Sequence, residues 1–145
     1  MLVGPSGEQI DDGGKLQYRV LGTSEGTVTF AVWSSLHPKF AAHIDATPEL
    51  YANSTIKVLN ENFVSIVPPE PFAESKLGTG ATTAKPVPGL AYANPKGEVL
   101  ISLSEAAPPE GFLVIGQASL DLNAVDVWKT LKEGRKVESA GGLRT

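Results

Sequence analysis

Val87-Pro88-Gly89-Leu90-Ala91-Tyr92-Ala93, Asn94-Pro95-Lys96-Gly97, Glu98-Val99-Leu100-Ile101-Ser102-Leu103-Ser104, Glu105-Ala106-Ala107-Pro108-Pro109-Glu110-Gly111, Phe112-Leu113-Val114-Ile115-Gly116-Gln117-Ala118: from Lys85 to Asp121 short apolar runs alternate with turn residues. Short apolar runs bounded by Gly, Pro and Asn read as strands. Asn-Pro-x-Gly and Pro-Pro-x-Gly are turn chemistry, because Pro presets φ and Gly accepts a positive one. No nucleophile elbow, metal cluster or phosphate loop lies in this stretch. It specifies architecture more than chemistry, and the fold class it predicts is mainly β.

Working outward, Lys15-Leu16-Gln17-Tyr18-Arg19-Val20-Leu21 alternates with period two, placing Leu16, Tyr18 and Val20 on one face. Gly22 to Gly26 is a turn. Thr27 to Trp33 is a second strand, with Val28, Phe30 and Val32 opposite Thr27, Thr29 and Trp33, so the pair reads as a hairpin. Thr55–Leu59 and Phe63–Val67 form another pair across Asn60-Glu61-Asn62. Between the two pairs, Pro38 interrupts any ladder, Ala42–Ala46 reads as a short strand, and Thr47–Tyr51 as one helical turn capped by Thr47.

The expected fold is a compact β-barrel or β-tulip-like domain, or two small β subdomains, with one short C-terminal helix. That helix starts at Asn123 as N-cap, with Asp126 near the positive end of its dipole. Leu122 and Val127 form a hydrophobic staple. Ala124, Trp128 and Leu131 share a face, Lys132 lies in the last turn, and Gly134 suits the residue after the cap. The corresponding division is an arm over residues 1–13, a β unit over 14–67, a Pro/Gly-rich connection over 68–88, a second unit over 89–134 and a tail over 135–145.

The chain has 145 residues, 41% of them hydrophobic, enough for a core at this length. A net charge of −4 argues against nucleic acid as the main partner. The absence of cysteine excludes disulfides and thiolate chemistry. The first residues do not read as a secretory leader, and no apolar run has the length of a membrane span. One methionine and 11 prolines are habits of heat-adapted proteins, whereas a charged fraction of 19% is low for them.

Candidate chemistry is sparse. His37 and His43 would share a face of a continuous strand, but no acidic ligand stands at a diagnostic spacing. Ser34, Ser35, His37 and Asp45 hold the ingredients of a hydrolase triad without a Gly-x-Ser-x-Gly elbow. Asp11-Asp12-Gly13-Gly14 lacks the spacing of a calcium loop. Gly78-Thr79-Gly80 lacks the Lys and the following helix of a phosphate loop. Asn53-Ser54-Thr55 matches a glycosylation acceptor. Glu105, Glu110 and Asp121 sit where acids are ordinary, and Trp33 and Trp128 read as core anchors. No catalytic residue, cofactor or metal is expected.

The pattern Lys85-Pro86-Val87-Pro88-Gly89-Leu90-Ala91-Tyr92, then Asn94-Pro95-Lys96-Gly97-Glu98-Val99-Leu100, then Gly111-Phe112-Leu113-Val114-Ile115-Gly116-Gln117-Ala118, resembles the head decoration, or cementing, proteins of tailed phages. The resemblance implies a trimer on the outer capsid surface of a virion, clamping the major capsid protein. In that reading Leu2, Val3 and Ile10 of the arm fill apolar notches on the partner while the backbone adds a strand to its sheet. No enzymatic activity is expected. Two other classes stand beside it: a different β-rich assembly or binding module, and an enzyme. A pocket with convergent polar groups would mark the enzyme.

Overall fold

The computed structural model describes residues 2–3, 9–10, 16–34, 37–77, 88–118 and 124–141. Ten strands and two helices follow one another among them. They are β1 (Leu2–Val3), β2 (Gln9–Ile10), β3 (Leu16–Thr23), β4 (Gly26–Trp33), α1 (Pro38–Ala46), β5 (Thr55–Asn60), β6 (Phe63–Val67), β7 (Leu90–Ala93), β8 (Val99–Ser102), β9 (Leu113–Gln117), α2 (Ala124–Thr130) and β10 (Ser139–Gly141). The fold is mainly β, as the sequence predicts.

Strands β3 to β10 form one antiparallel sheet in the order β10-β3-β4-β9-β7-β8-β6-β5. The strands after the 68–88 break, β7 to β9, lie between β4 and β6, which precede it. The two edges of the sheet are joined by a single segment. Residues 134–137 run antiparallel to β5: Ile56 N–H donates to Arg135 O (2.8 Å), Gly134 N–H to Ile56 O (2.8 Å) and Val137 N–H to Ser54 O (2.8 Å). The same segment continues into β10, which pairs with β3. The sheet therefore curls into a barrel whose seam is residues 134–141, the stretch the sequence reads as the end of the helical unit and a tail.

Inside lie Phe30, Val32, Ile44, Ile56, Val64, Ile66, Ala91, Val99, Ile101, Ile115 and Trp128. Trp128 of α2 is fully buried there, in line with its reading as an anchor. Helix α2 ends at Thr130, short of Gly134. Gly134, at φ +82°, instead serves the turn that launches the seam.

A second helix was not expected. Pro38, read as a ladder breaker, stands at the start of α1, where its missing N–H is no loss. Phe40, Ala41 and Ile44 form the buried face that replaces the expected strand over 42–46. Thr47 closes α1, its N–H on His43 O, and also opens the turn that follows, where its own carbonyl accepts from Leu50 N–H at 3.0 Å.

The carbonyls left open at the end of α1 meet Arg19. Its guanidinium donates to Ile44 O, Thr47 O and Pro48 O. Arg19 is buried, as is Leu21, whereas Tyr18 and Val20 are only partly so. The inward face of β3 is thus the one opposite to that predicted. A planar cation satisfying several carbonyls at the negative end of a helix explains the inversion.

Candidate functional site

A closed barrel has an outer as well as an inner face, and in most barrels the outer one meets water. Here part of it is a second apolar cluster: Trp33, Phe63, Leu90, Tyr92, Leu100 and Val114, all buried. Strand alternation puts them opposite the inner core. Phe63 flanks Val64, Leu100 lies between Val99 and Ile101, and Tyr92 between Ala91 and Ala93.

The pairing register aligns five residues across this face. Lys57 is opposite Ser65, Ser65 opposite Leu100, Leu100 opposite Tyr92, and Tyr92 opposite Val114. The row runs from an exposed ammonium, through a hydroxyl and an aliphatic side chain, to a phenol. A β-bulge in the β7–β9 pairing beside Tyr92 sets this register. Both hydroxyls are enclosed, and neither Ser65 Oγ nor Tyr92 OH has a hydrogen-bond partner among the described residues. An enclosed unpaired hydroxyl costs about 1–3 kcal/mol. Burial pushes the Tyr92 phenol up to about 12, so it stays protonated and able to donate across the ordinary pH range.

Behind the last residue of the row, His37 Nε2 bonds Val114 O at 2.7 Å and ties the start of α1 to β9. Burial lowers the His37 imidazole below its ordinary 6.5, against a smaller upward push from that carbonyl. Neutral at Nε2–H, it is a donor to Val114 rather than a base awaiting a substrate.

The outer cluster is overlaid by the connection from β8 to β9. Leu103 N–H donates to Asn62 O (2.8 Å) and Ser104 Oγ to Asn62 Oδ1 (2.8 Å). Ser102 Oγ donates to Ser104 O at 2.7 Å. Beyond this anchor, Ala106 and Phe112 pack on the cluster.

The residues singled out from the sequence do not assemble. His43 lies on α1, edge-on to the Phe72 ring at 5.1 Å, away from the Val114 carbonyl that holds His37. No group of three potential metal ligands occurs among the described residues. Asp45 is exposed on α1, and Ser34 lies in the turn after β4. Asn53 sits exposed in a left-handed turn at φ +65°. Leu2, Val3 and Ile10 belong to a separate two-stranded hairpin, with Leu2 opposite Ile10. Glu105 and Glu110 are exposed on the overlying connection. Ser35, Asp11-Asp12-Gly13-Gly14, Gly78-Thr79-Gly80, Asp121 and the cap Asn123 lie outside the described residues. Missed by the sequence reading were Lys57, Ser65 and Tyr92. The signal for Ser65 and Tyr92 was a hydroxyl inside an apolar run, as in Phe63-Val64-Ser65-Ile66-Val67; Lys57 carried none.

No family model matches the chain, and no curated protein matches it by sequence. Solved structures do. A cyclophilin-type peptidyl-prolyl cis-trans isomerase of Cryptosporidium parvum superposes with a TM-score of 0.62 at 12% identity, over 90% of this chain and 99% of that one. The fold is cyclophilin-like. A cyclophilin of Hirschia baltica gives 0.59 at 11% identity, over 92% of this chain and 75% of that one. The Cryptosporidium protein crystallised in the presence of the dipeptide Ala-Pro gives 0.58 at 13%, over 89% and 100%.

These neighbours correct the functional expectation. They are cyclophilins, the Cryptosporidium protein a peptidyl-prolyl cis-trans isomerase, and not capsid proteins, so the reading as a capsid clamp is overturned, and with it the expected lack of enzymatic activity. The decoration-protein resemblance rested on strand endings and turns, which any small barrel needs.

Proposed function

We propose that this chain binds X–Pro segments of extended polypeptide on the outer face of its barrel and catalyses their cis–trans isomerisation. The observation that carries the reading is the row Lys57–Ser65–Leu100–Tyr92–Val114 on a cyclophilin-like barrel. The presence of Ala-Pro in one neighbour's crystals supports a short prolyl segment as ligand.

The reaction breaks no bond. It twists the C–N bond of the X–Pro imide, whose partial double-bond character sets a barrier of roughly 18–20 kcal/mol. At the top of the barrier conjugation is lost and the nitrogen lone pair is localised. A catalyst therefore needs an apolar seat for the pyrrolidine ring, a donor for the lone pair, and polar groups to hold the neighbouring carbonyl. Leu100 and Phe63 provide the seat. Lys57, with its ammonium donors at the rim, faces the developing lone pair. Ser65 and Tyr92 are the enclosed hydroxyls that a substrate carbonyl would satisfy. Stabilisation of this kind acts only when it is stronger in the twisted state than in the planar one.

The test is nuclear magnetic resonance exchange spectroscopy on a short peptide containing Ala–Pro. Intact protein at catalytic concentration should raise its cis–trans exchange rate well above the spontaneous one. Lys57→Met should lower that acceleration on the order of 10–100-fold, as expected for removal of one electrostatic donor at a partly solvated site. Lys57 is exposed, so the fold should persist. Folded protein that leaves the exchange rate unchanged, with no shift of outer-face resonances on peptide addition, would overturn the proposal.

A further inference from the structure

The outer-face cluster is closed to a peptide in this conformation. Among the described residues, the partly buried hydrophobic side chains packed against it are Ala106 and Phe112. Both belong to one connection, Ser104-Glu105-Ala106-Ala107-Pro108-Pro109-Glu110-Gly111-Phe112. Resting on the proposed function, we infer that Ser104–Phe112 is an autoinhibitory lid: Ala106 and Phe112 occupy the apolar seat, and an incoming X–Pro segment must displace them.

Three features of the segment fit that role. Among the described residues, its polar anchoring is concentrated at one end. Asn62 holds Leu103 and Ser104, and Ser104 Oγ accepts from Ala106 N–H at 3.1 Å. Farther along, Phe112 N–H donates to Pro109 O at 3.3 Å, a bond internal to the segment that survives its movement as a unit. Gly111, at φ +94° with open space around its Cα, adjoins Phe112 and supplies a pivot that L-residues rarely provide. Pro108 and Pro109 stiffen the span between the two plugs, so little chain entropy is lost on closing.

The closed state is also incompletely satisfied. Tyr92 belongs to the cluster that the plugs cover, and Ser65 is in register with it across Leu100; neither Tyr92 OH nor Ser65 Oγ has a partner among the described residues, and the plugs are apolar. An extended peptide brings carbonyls and N–H groups that the plugs lack. Substrate therefore exchanges an apolar contact for an apolar contact plus hydrogen bonds, which is the differential affinity a displaceable lid requires. Glu105 and Glu110 stay exposed and give the open lid a solvated face.

The inference is tested with an Ala106→Gly/Phe112→Ala double variant, titrated with the same Ala–Pro peptide as the intact protein. If the lid is open only on the order of a tenth of the time, removal of its plugs should tighten apparent binding about tenfold, with a parallel gain in exchange rate at subsaturating peptide. Equal affinity and equal rates in variant and intact protein, both active, would overturn the lid and leave the proposed function standing. No binding and no exchange in either would overturn both. A second measurement needs no variant. Saturating intact protein with peptide should move the amide resonances of Ala106, Gly111 and Phe112 toward random-coil values and speed their hydrogen exchange. Unchanged resonances there, with shifts confined to Tyr92 and Leu100, would overturn displacement.

Discussion

Arg19 and His37 show how single buried polar residues decide the local geometry around the barrel. Arg19 carries its charge inward because its guanidinium satisfies carbonyls at and just beyond the end of α1; burial lowers its guanidinium, and Tyr51 opposes that shift. Tyr51, itself at φ +77°, is raised well above its ordinary value by burial, and its hydroxyl donates to Gly97 O at 2.7 Å. Such a left-handed tyrosine costs on the order of 1–3 kcal/mol and persists because ring and hydroxyl are both fixed. His37 has a consequence for pH. Its folded-state value lies below 6.5, chiefly through burial, and that of His43 is lowered by burial and then by Lys76. The unfolded chain therefore binds protons more readily than the folded one. The stability from neutral His37 is fully present above 6.5 and declines as pH falls from 6.5 toward the folded-state value. Urea midpoints at about pH 7.5 and about pH 5.5 should show this loss, and His37→Gln, which retains an N–H donor for Val114, should reduce it. An equal loss in the variant would assign the dependence to His43. None of this was legible beforehand. In sequence His37 was one of two histidines near a proline, and its partner is a carbonyl 77 positions away.

At the level of elements, the hairpins β3/β4 and β5/β6 were readable because alternation and turn residues are local. Asn60 illustrates it: its Oδ1 accepts from Asn62 N–H at 2.8 Å and makes the turn the sequence implied. Helix α1 was not readable, because Pro38 at a helix start and Pro38 in a broken strand have the same neighbours in sequence. The inner and outer faces of β7 and β8 were indistinguishable too. Leu90–Ala93 and Val99–Ser102 are buried on both sides, so their runs announce burial without saying what covers the outside. The β4–β9 junction shows how close these elements come. A Cβ on Gly116 would lie 1.7 Å from Ala31 O, against the backbone of the neighbouring strand. Gly116→Ala should therefore cost at least about 3 kcal/mol, the upper end of ordinary overpacking, since backbone cannot yield as a side chain can. Chemical denaturation measures it. A cost below about 1 kcal/mol would mean that β9 shifts freely, and the register that aligns Tyr92 with Val114 would then be soft.

Over the whole molecule, the decisive unread feature is the seam. Residues 135–145 are polar and small, so sequence alone predicts a loose tail, because only Val137 is a large aliphatic in the part that closes the barrel. Its role is set by backbone geometry and long-range pairing, which composition does not encode. The seam satisfies two strand edges at once. Toward β5 the bonds are Gly134 N–H to Ile56 O, Ile56 N–H to Arg135 O, Val137 N–H to Ser54 O and Asn53 N–H to Val137 O; toward β3, Glu138 N–H donates to Gly22 O. Val137 is fully buried. Each such bond contributes about 1 kcal/mol net, and the side chain about 2 kcal/mol. Together these approach about 7 kcal/mol, comparable with the roughly 5–15 kcal/mol that holds a domain folded. Ending the chain after Glu133 should therefore not trim a tail but open the barrel. It would expose β3 and β5 as unpaired edges, a template for association between chains. The truncated protein should lose its cooperative thermal transition in circular dichroism and sediment as aggregates at concentrations where the intact chain melts reversibly. A truncated chain that melts cooperatively within a few degrees of the intact one would show that the sheet is stable open, and that the seam is the tail its composition describes.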